Sequence, residues 1–130
     1  MRPNRLVPDR PTRYKVHITL AARRDIAAVL KRSKKEFGKD AALRYQALLG
    51  QALRDIAIDP ERPGSRERPE LAKGSRSYHL FFSTDRGRTD LGVVHNPRHF
   101  LIYRHNDNKA VIEILRVIHD SRELLRQTNE

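Results

Sequence analysis

Residues 99–124 read HFLIYRHNDNKAVIEILRVIHDSREL, and the fold is decided in this stretch. Two apolar runs, 100–103 and 111–118, flank a polar break at 105–109. β-branched and aromatic residues fill both runs, and Asn106-Asp107-Asn108 sits between them. The pattern predicts an antiparallel hairpin closed by a loop of about four or five residues. In the second run, strict alternation puts Ile112, Ile114 and Ile118 on one face with Arg116. It puts Val111, Leu115 and Val117 on the other with Glu113. Apolar residues on both faces predict a central strand, covered by helices on one side and half covered on the other.

Everything upstream has to pack on that hairpin. Tyr14, Val16, Ile18 and Leu20 alternate with Lys15, His17 and Thr19, which predicts a half-buried strand. Thr19 then suits the N-cap of a helix. Ile26, Val29, Leu30, Ser33 and Phe37 follow at helical spacing, and Gly38 suits a C-terminal cap. The other faces of this helix carry Arg23, Arg24, Lys31, Arg32, Lys34 and Lys35. A second helix is expected from about Asp40 to Ile58, with Ala42, Tyr45, Leu49, Ala52, Leu53 and Ile56 as its stripe; Asp59-Pro60 ends it. So short a link makes the two helices an antiparallel hairpin.

Residues 59–75 hold three prolines and two glycines and read as a loop. Residues 76–83, RSYHLFFS, read as a strand with Tyr78, Leu80 and Phe82 on one face and His79 and Phe81 on the other. Residues 84–98 read as an extended, glycine-bearing connection with an apolar stub at 91–94. Asp120 or Ser121 should cap a short terminal helix containing Leu124 and Leu125. The expected fold class is α+β in the order β-α-α-β-β-β-α: a small antiparallel sheet packed against an N-terminal helical hairpin.

At 130 residues the chain is expected to be one domain, residues 14–130, behind a flexible basic arm, residues 1–13. At that size about two-thirds of the unfolded surface is buried on folding. An apolar content of 38% predicts a thin core. With no cysteine there is neither a disulfide framework nor a thiolate metal site. The N-terminus has no apolar h-region, and no run approaches membrane-spanning length, so the expected compartment is the reducing cytoplasm and no membrane partner is expected. Twenty-seven Lys+Arg stand against sixteen Asp+Glu, a net charge of +11. That field favours polyanions: nucleic acid, a nucleoprotein or an acidic protein.

Three pieces of the chain, in this order, carry a resemblance. They are the opening strand with its helical hairpin, the passage Lys73-Gly74-Ser75-Arg76-Ser77-Tyr78-His79-Leu80, and the pair HFLIYR (99–104) and IEILRVIH (112–119). Together they resemble toxins of the RelE/ParE superfamily, the small basic members of type II toxin–antitoxin pairs, and are most similar to the ParE branch. The arginine-rich arm and the 84–98 insertion depart from the pattern. The resemblance implies an acidic or amphipathic antitoxin as partner in a toxin–antitoxin hetero-oligomer. It implies one of two targets. ParE members inhibit DNA gyrase, and RelE members cut messenger RNA on the ribosome.

Cleavage of RNA needs a general base for the ribose 2′-hydroxyl, a general acid for the leaving oxygen and cations for the phosphate. His119 is the candidate acid or base, Arg76, Arg104 and Arg116 the candidate cations, and Tyr103 or Tyr78 a candidate orienting group. A histidine closing a strand equally serves to bond the next turn's backbone, and Arg116 equally suits a local ion pair with Glu113, Asp120 or Glu123. His79, His95, His99 and His105 fall on different strands or loops, so no second acid or base is expected beside His119. The spacing of His95, His99 and His105 lacks a thiol or carboxylate in register, so no metal is expected. No P-loop or dinucleotide fingerprint is present, and no cofactor is expected. Under the gyrase reading no residue is catalytic. Contact then falls to Arg23, Arg24, Lys31, Arg32, Lys34, Lys35, Arg116 and His119. The same lysines and arginines are otherwise solvated helix faces.

Overall fold

The computed structural model of the protein describes residues 11–121. Its elements are β1 (Lys15–Ile18), α1 (Leu20–Phe37), α2 (Lys39–Ile58), β2 (Ser65–Glu67), β3 (Arg76–His79), a 3-10 turn (Leu80–Ser83), β4 (His99–Asn106) and β5 (Val111–His119). Most of the expected arm, and Leu124 and Leu125 of the expected terminal helix, lie outside the described residues.

The five strands form one sheet in the order β1-β5-β4-β3-β2. The hairpin turns at residues 107–110, as the Asn-rich break predicts, and its long strands are the middle of the sheet. β3, β4 and β5 form the expected antiparallel meander. β1 pairs in parallel with β5, Val16 beside Ile112, so the sheet is mixed. A parallel pair needs a long crossover, and the helical hairpin plus the intervening strands supply it.

Thr19 caps α1 by accepting a hydrogen bond from the Ala22 amide at 3.1 Å, and the Gly38 amide closes the helix on the Lys34 carbonyl. The apolar stripe of α2, Leu48, Leu49, Ala52 and Ile56, lies against Tyr78, Leu101, Tyr103, Ile112, Ile114 and Val117 of the sheet. This cluster is the core. α1 sinks Ala22 into it and rests Ile26, Val29 and Leu30 on its margin. Phe37, expected in that stripe, is 73% exposed instead; it is the last residue of the helix.

The alternation expected for β5 breaks at one point. Tyr103 pairs with Ile114 and Ile102 with Arg116, so Leu115 is an extra, unopposed residue. This β-bulge reverses the facing of everything after it. Ile112, Ile114 and Val117 face the helices, whereas Arg116 and Ile118 share the opposite face with Ile102 and Phe100. α1 holds the groups that the bulge sets apart. The Thr19 hydroxyl donates to the Leu115 carbonyl at 3.2 Å, and Asp25 accepts from the Val117 amide at 2.9 Å.

Two further expectations are corrected. Within 59–75, the three residues of β2 pair with β3, Arg66 opposite Ser77. The strand expected over 76–83 stops at His79, whose ring nitrogen Nδ1 accepts from the Phe81 amide at 3.0 Å and starts the 3-10 turn. Tyr78 and Leu80 are therefore buried, but Phe81 and Phe82 are both exposed. Behind the turn, α2 presents the fully buried Asp55 to the Ser83 hydroxyl at 2.6 Å and to the Arg86 guanidinium at 3.0 Å. The stub at 91–94 forms no strand; it closes a tight turn by a bridge between Thr89 and Gly92.

Candidate functional site

His119 ends β5, and the register of the hairpin puts His99, which begins β4, directly beside it. The two rings meet edge to face with centroids 5.2 Å apart. Both residues face the helices, so α2 reaches them: the Tyr45 hydroxyl lies 2.6 Å from His99 Nδ1 and accepts the Arg98 amide at 3.1 Å. On the other side of the sheet His79 stacks edge to face on Phe100, its β4 neighbour, at 4.8 Å. Asp120 joins the two sides at the rim. It receives His79 Nε2 at 3.2 Å and the Arg98 guanidinium at 2.8 and 3.0 Å. The expectation that no second titratable histidine stands near His119 is thus wrong. Three strands bring His79, His99 and His119 to one end of the sheet.

Burial first, then the neighbouring His119, pushes the His99 imidazole down to about 4. Burial pushes the Tyr45 hydroxyl up to about 12. The two shifts agree. Tyr45 keeps its proton and donates it to a neutral His99. Burial opposes ionisation of Asp120, but the hydrogen bonds from Arg98 and His79 outweigh it and hold its carboxyl below the ordinary range. His119 is bonded through Nδ1 to Ser121 at 2.8 Å, and among the described residues its Nε2 meets no partner. His119 is the exposed one of the three, and its Nε2 is open to proton transfer.

The His99 shift carries a prediction. The unfolded chain binds a proton at His99 near pH 6.5 and the folded chain only near 4. Stability from this residue is complete above 6.5 and is lost as pH falls toward 4. The urea midpoint should decline across that window, and His99→Gln, which still accepts from Tyr45, should flatten the decline. An equal slope in the variant refutes the assignment.

The other residues singled out in the sequence do not join His119. Tyr103 is fully buried and donates to the Pro60 carbonyl. Arg76 stands beside it on β3 and gives its Nε to Ser65 at 2.7 Å. Arg104 pairs with Glu113 at 3.0 Å, toward the turn end of the hairpin. Arg116 forms a two-pronged pair with Asp25 at 2.7 and 3.1 Å, not with Glu113 or Asp120, and Glu123 lies outside the described residues. Tyr78 is buried against Ser83. Sequence reasoning missed His99, Tyr45, Arg98 and Asp120 as a group. Counting outward from the four-residue turn at 107–110 puts His99 within one position of His119, and that count is the signal that finds it. Arg23, Arg24, Lys31, Arg32, Lys34 and Lys35 all stand exposed along α1. No group of three or more metal-ligating side chains occurs among the described residues.

A helical hairpin laid on a mixed sheet with a long central β-hairpin is the toxin fold of the RelE/ParE superfamily. It is similar to the structure of the RelBE2 toxin–antitoxin complex of Mycobacterium tuberculosis, at 27% identity and a TM-score of 0.51, over 82% of this chain and 98% of that one. It shares its fold with the chromosomal ParDE toxin–antitoxin system of P. aeruginosa, at 15% identity and a TM-score of 0.59, over 84% of this chain and 98% of that one. The family described as "ParE toxin of type II toxin-antitoxin system, parDE" matches residues 16–124. The chain belongs to that family and is a type II toxin. No curated protein matches the sequence.

Proposed function

We propose that this toxin arrests growth by binding DNA gyrase, without chemistry of its own, and that a cognate antitoxin neutralises it. The observation that supports this is the commitment of the guanidinium groups. RNA cleavage needs a cation free to meet the phosphate. Arg98 is taken up by Asp120, Arg104 by Glu113 and Arg116 by Asp25, and Arg76 is turned to Ser65. None of the three guanidinium groups named as candidate clamps, Arg76, Arg104 and Arg116, stands free beside His119. The neighbours of similar fold are toxin–antitoxin complexes, which supports the antitoxin as partner. The test is a supercoiling assay with purified protein. Gyrase should be inhibited at micromolar toxin, and inhibition should survive His119→Ala, which removes one contact among several; unaffected gyrase ends the reading.

One observation favours a second reading. The unengaged Nε2 of His119, beside the His99 ring and Asp120, is a group able to carry a proton to or from a ribose oxygen. If the toxin is instead a ribosome-dependent ribonuclease, His119→Ala should lower mRNA cleavage by about 10²–10⁴-fold. The two readings therefore part on one substitution.

A further inference from the structure

The outward face of α1 is unusual for what it lacks. The helix has two acidic residues past its cap, and both are engaged: Asp25 holds Arg116 and Glu36 holds Arg32 at 2.9 Å. Its first turn has no acid. Arg24, Lys31, Lys34 and Lys35 are exposed and, among the described residues, have no carboxylate partner. At 100° per residue these four and Ala27 and Ala28 share one face, with the alanines as a flat floor between cations. Lys31 and Lys35, four residues apart, repel each other, and nothing within the described chain relieves this.

We infer that this face seats the phosphate backbone of duplex DNA. The inference rests on the gyrase reading, because gyrase works on duplex DNA. Arg24 to Lys35 spans about 16 Å of helix axis, at 1.5 Å per residue. That is about five base pairs at 3.4 Å each. Small side chains at the centre let a phosphate ridge come close to the helix. A protein partner would need a central apolar anchor. The large exposed apolar residues of α1, Leu20 and Phe37, stand at its two ends instead. The helix has no Asn or Gln to read an adenine edge, and its arginines and lysines form no reading face separate from the charged one, so the contact positions the toxin without selecting sequence.

The experiment is fluorescence anisotropy of a short labelled duplex titrated with the full chain across a range of salt. Four phosphate contacts give a slope of log K against log[salt] of about −3.6. The combined variant Arg24→Gln, Lys31→Gln, Lys34→Gln, Lys35→Gln keeps good helix formers on an exposed face, and circular dichroism checks its fold. It should weaken binding at least tenfold and flatten the slope by about 3.6. Arg66→Gln, on β2, should leave both unchanged. Equal binding by the quadruple variant overturns the inference. So does tighter binding of polyglutamate than of duplex through the same four residues, which would make this an acidic-protein site. Supercoiling is measured in parallel: DNA binding without gyrase inhibition refutes the functional reading alone, and gyrase inhibition that survives the quadruple variant refutes the DNA seat alone.

Discussion

Asp55→Ala should destabilise the fold by about 3–5 kcal/mol, the range for removing one partner of a buried ion pair. Asp55 is fully buried in α2. Its carboxylate accepts the Ser83 hydroxyl at 2.6 Å and the Gln51 amide at 2.9 Å. It also faces Arg86 at 3.0 Å and Arg62 at 3.6 Å. Ser83 in turn touches the Tyr78 hydroxyl at 2.8 Å, and the Arg62 guanidinium lies over the Tyr78 ring at 5.7 Å. One carboxylate thus pins two loops and a central aromatic ring to the helix. Alanine leaves buried donors facing a void, and each orphaned donor costs about 1–3 kcal/mol. Asp55→Asn keeps an acceptor for Ser83 but loses the charge, so it should fall between. Urea unfolding at neutral pH reads both. If Asp55→Asn is as damaging as Asp55→Ala, the hydrogen bond to Ser83 is not what the carboxylate contributes.

Why this hub escapes sequence reading is plain from its parts. Asp55 sits among helix residues with no local signal of burial, Ser83 reads as the last residue of a strand, and Arg86 comes from a stretch that reads only as hydrophilic connection. Local signals fared better. Thr19 ahead of an apolar stripe marked the start of α1, and the Asn-rich break marked the turn of the hairpin. Both depend on residues a few positions apart, where chain geometry fixes the outcome. The bulge at Leu115 was hidden because its neighbours are apolar on both faces, so period-two counting fits either facing. β2 was hidden because Ser65, Arg66 and Glu67 carry no strand preference; β3 recruits them by pairing. At the candidate site His119 was legible as a strand-ending histidine. His99 and Asp120 acquire meaning only through register, and Tyr45 only through the packing of α2 on the sheet.

Asp25→Ala should cost about 2–3 kcal/mol, while Arg116→Ala, which removes the other half of the same ion pair, should cost under about 1 kcal/mol. The asymmetry follows from what each residue touches. Arg116 is about half exposed, and a solvent-screened pair of this kind is worth little by itself. Asp25 does a second job: its Oδ2 accepts the Val117 amide at 2.9 Å, just past the bulge. That amide lies in a buried residue of the central strand, and alanine at 25 leaves it unpaired. Asp25→Asn keeps a carbonyl oxygen for the amide, so it should resemble Arg116→Ala and not Asp25→Ala. Urea unfolding of the three single variants and the Asp25→Ala, Arg116→Ala double variant decides the matter. The double should be no less stable than Asp25→Ala by more than a few tenths of a kcal/mol, since the ion pair is already gone. Equal losses for Asp25→Ala and Arg116→Ala would mean that the carboxylate serves the guanidinium alone. The bulge would then be held by β4 and Thr19, and α1 would owe its place on the sheet to apolar contact.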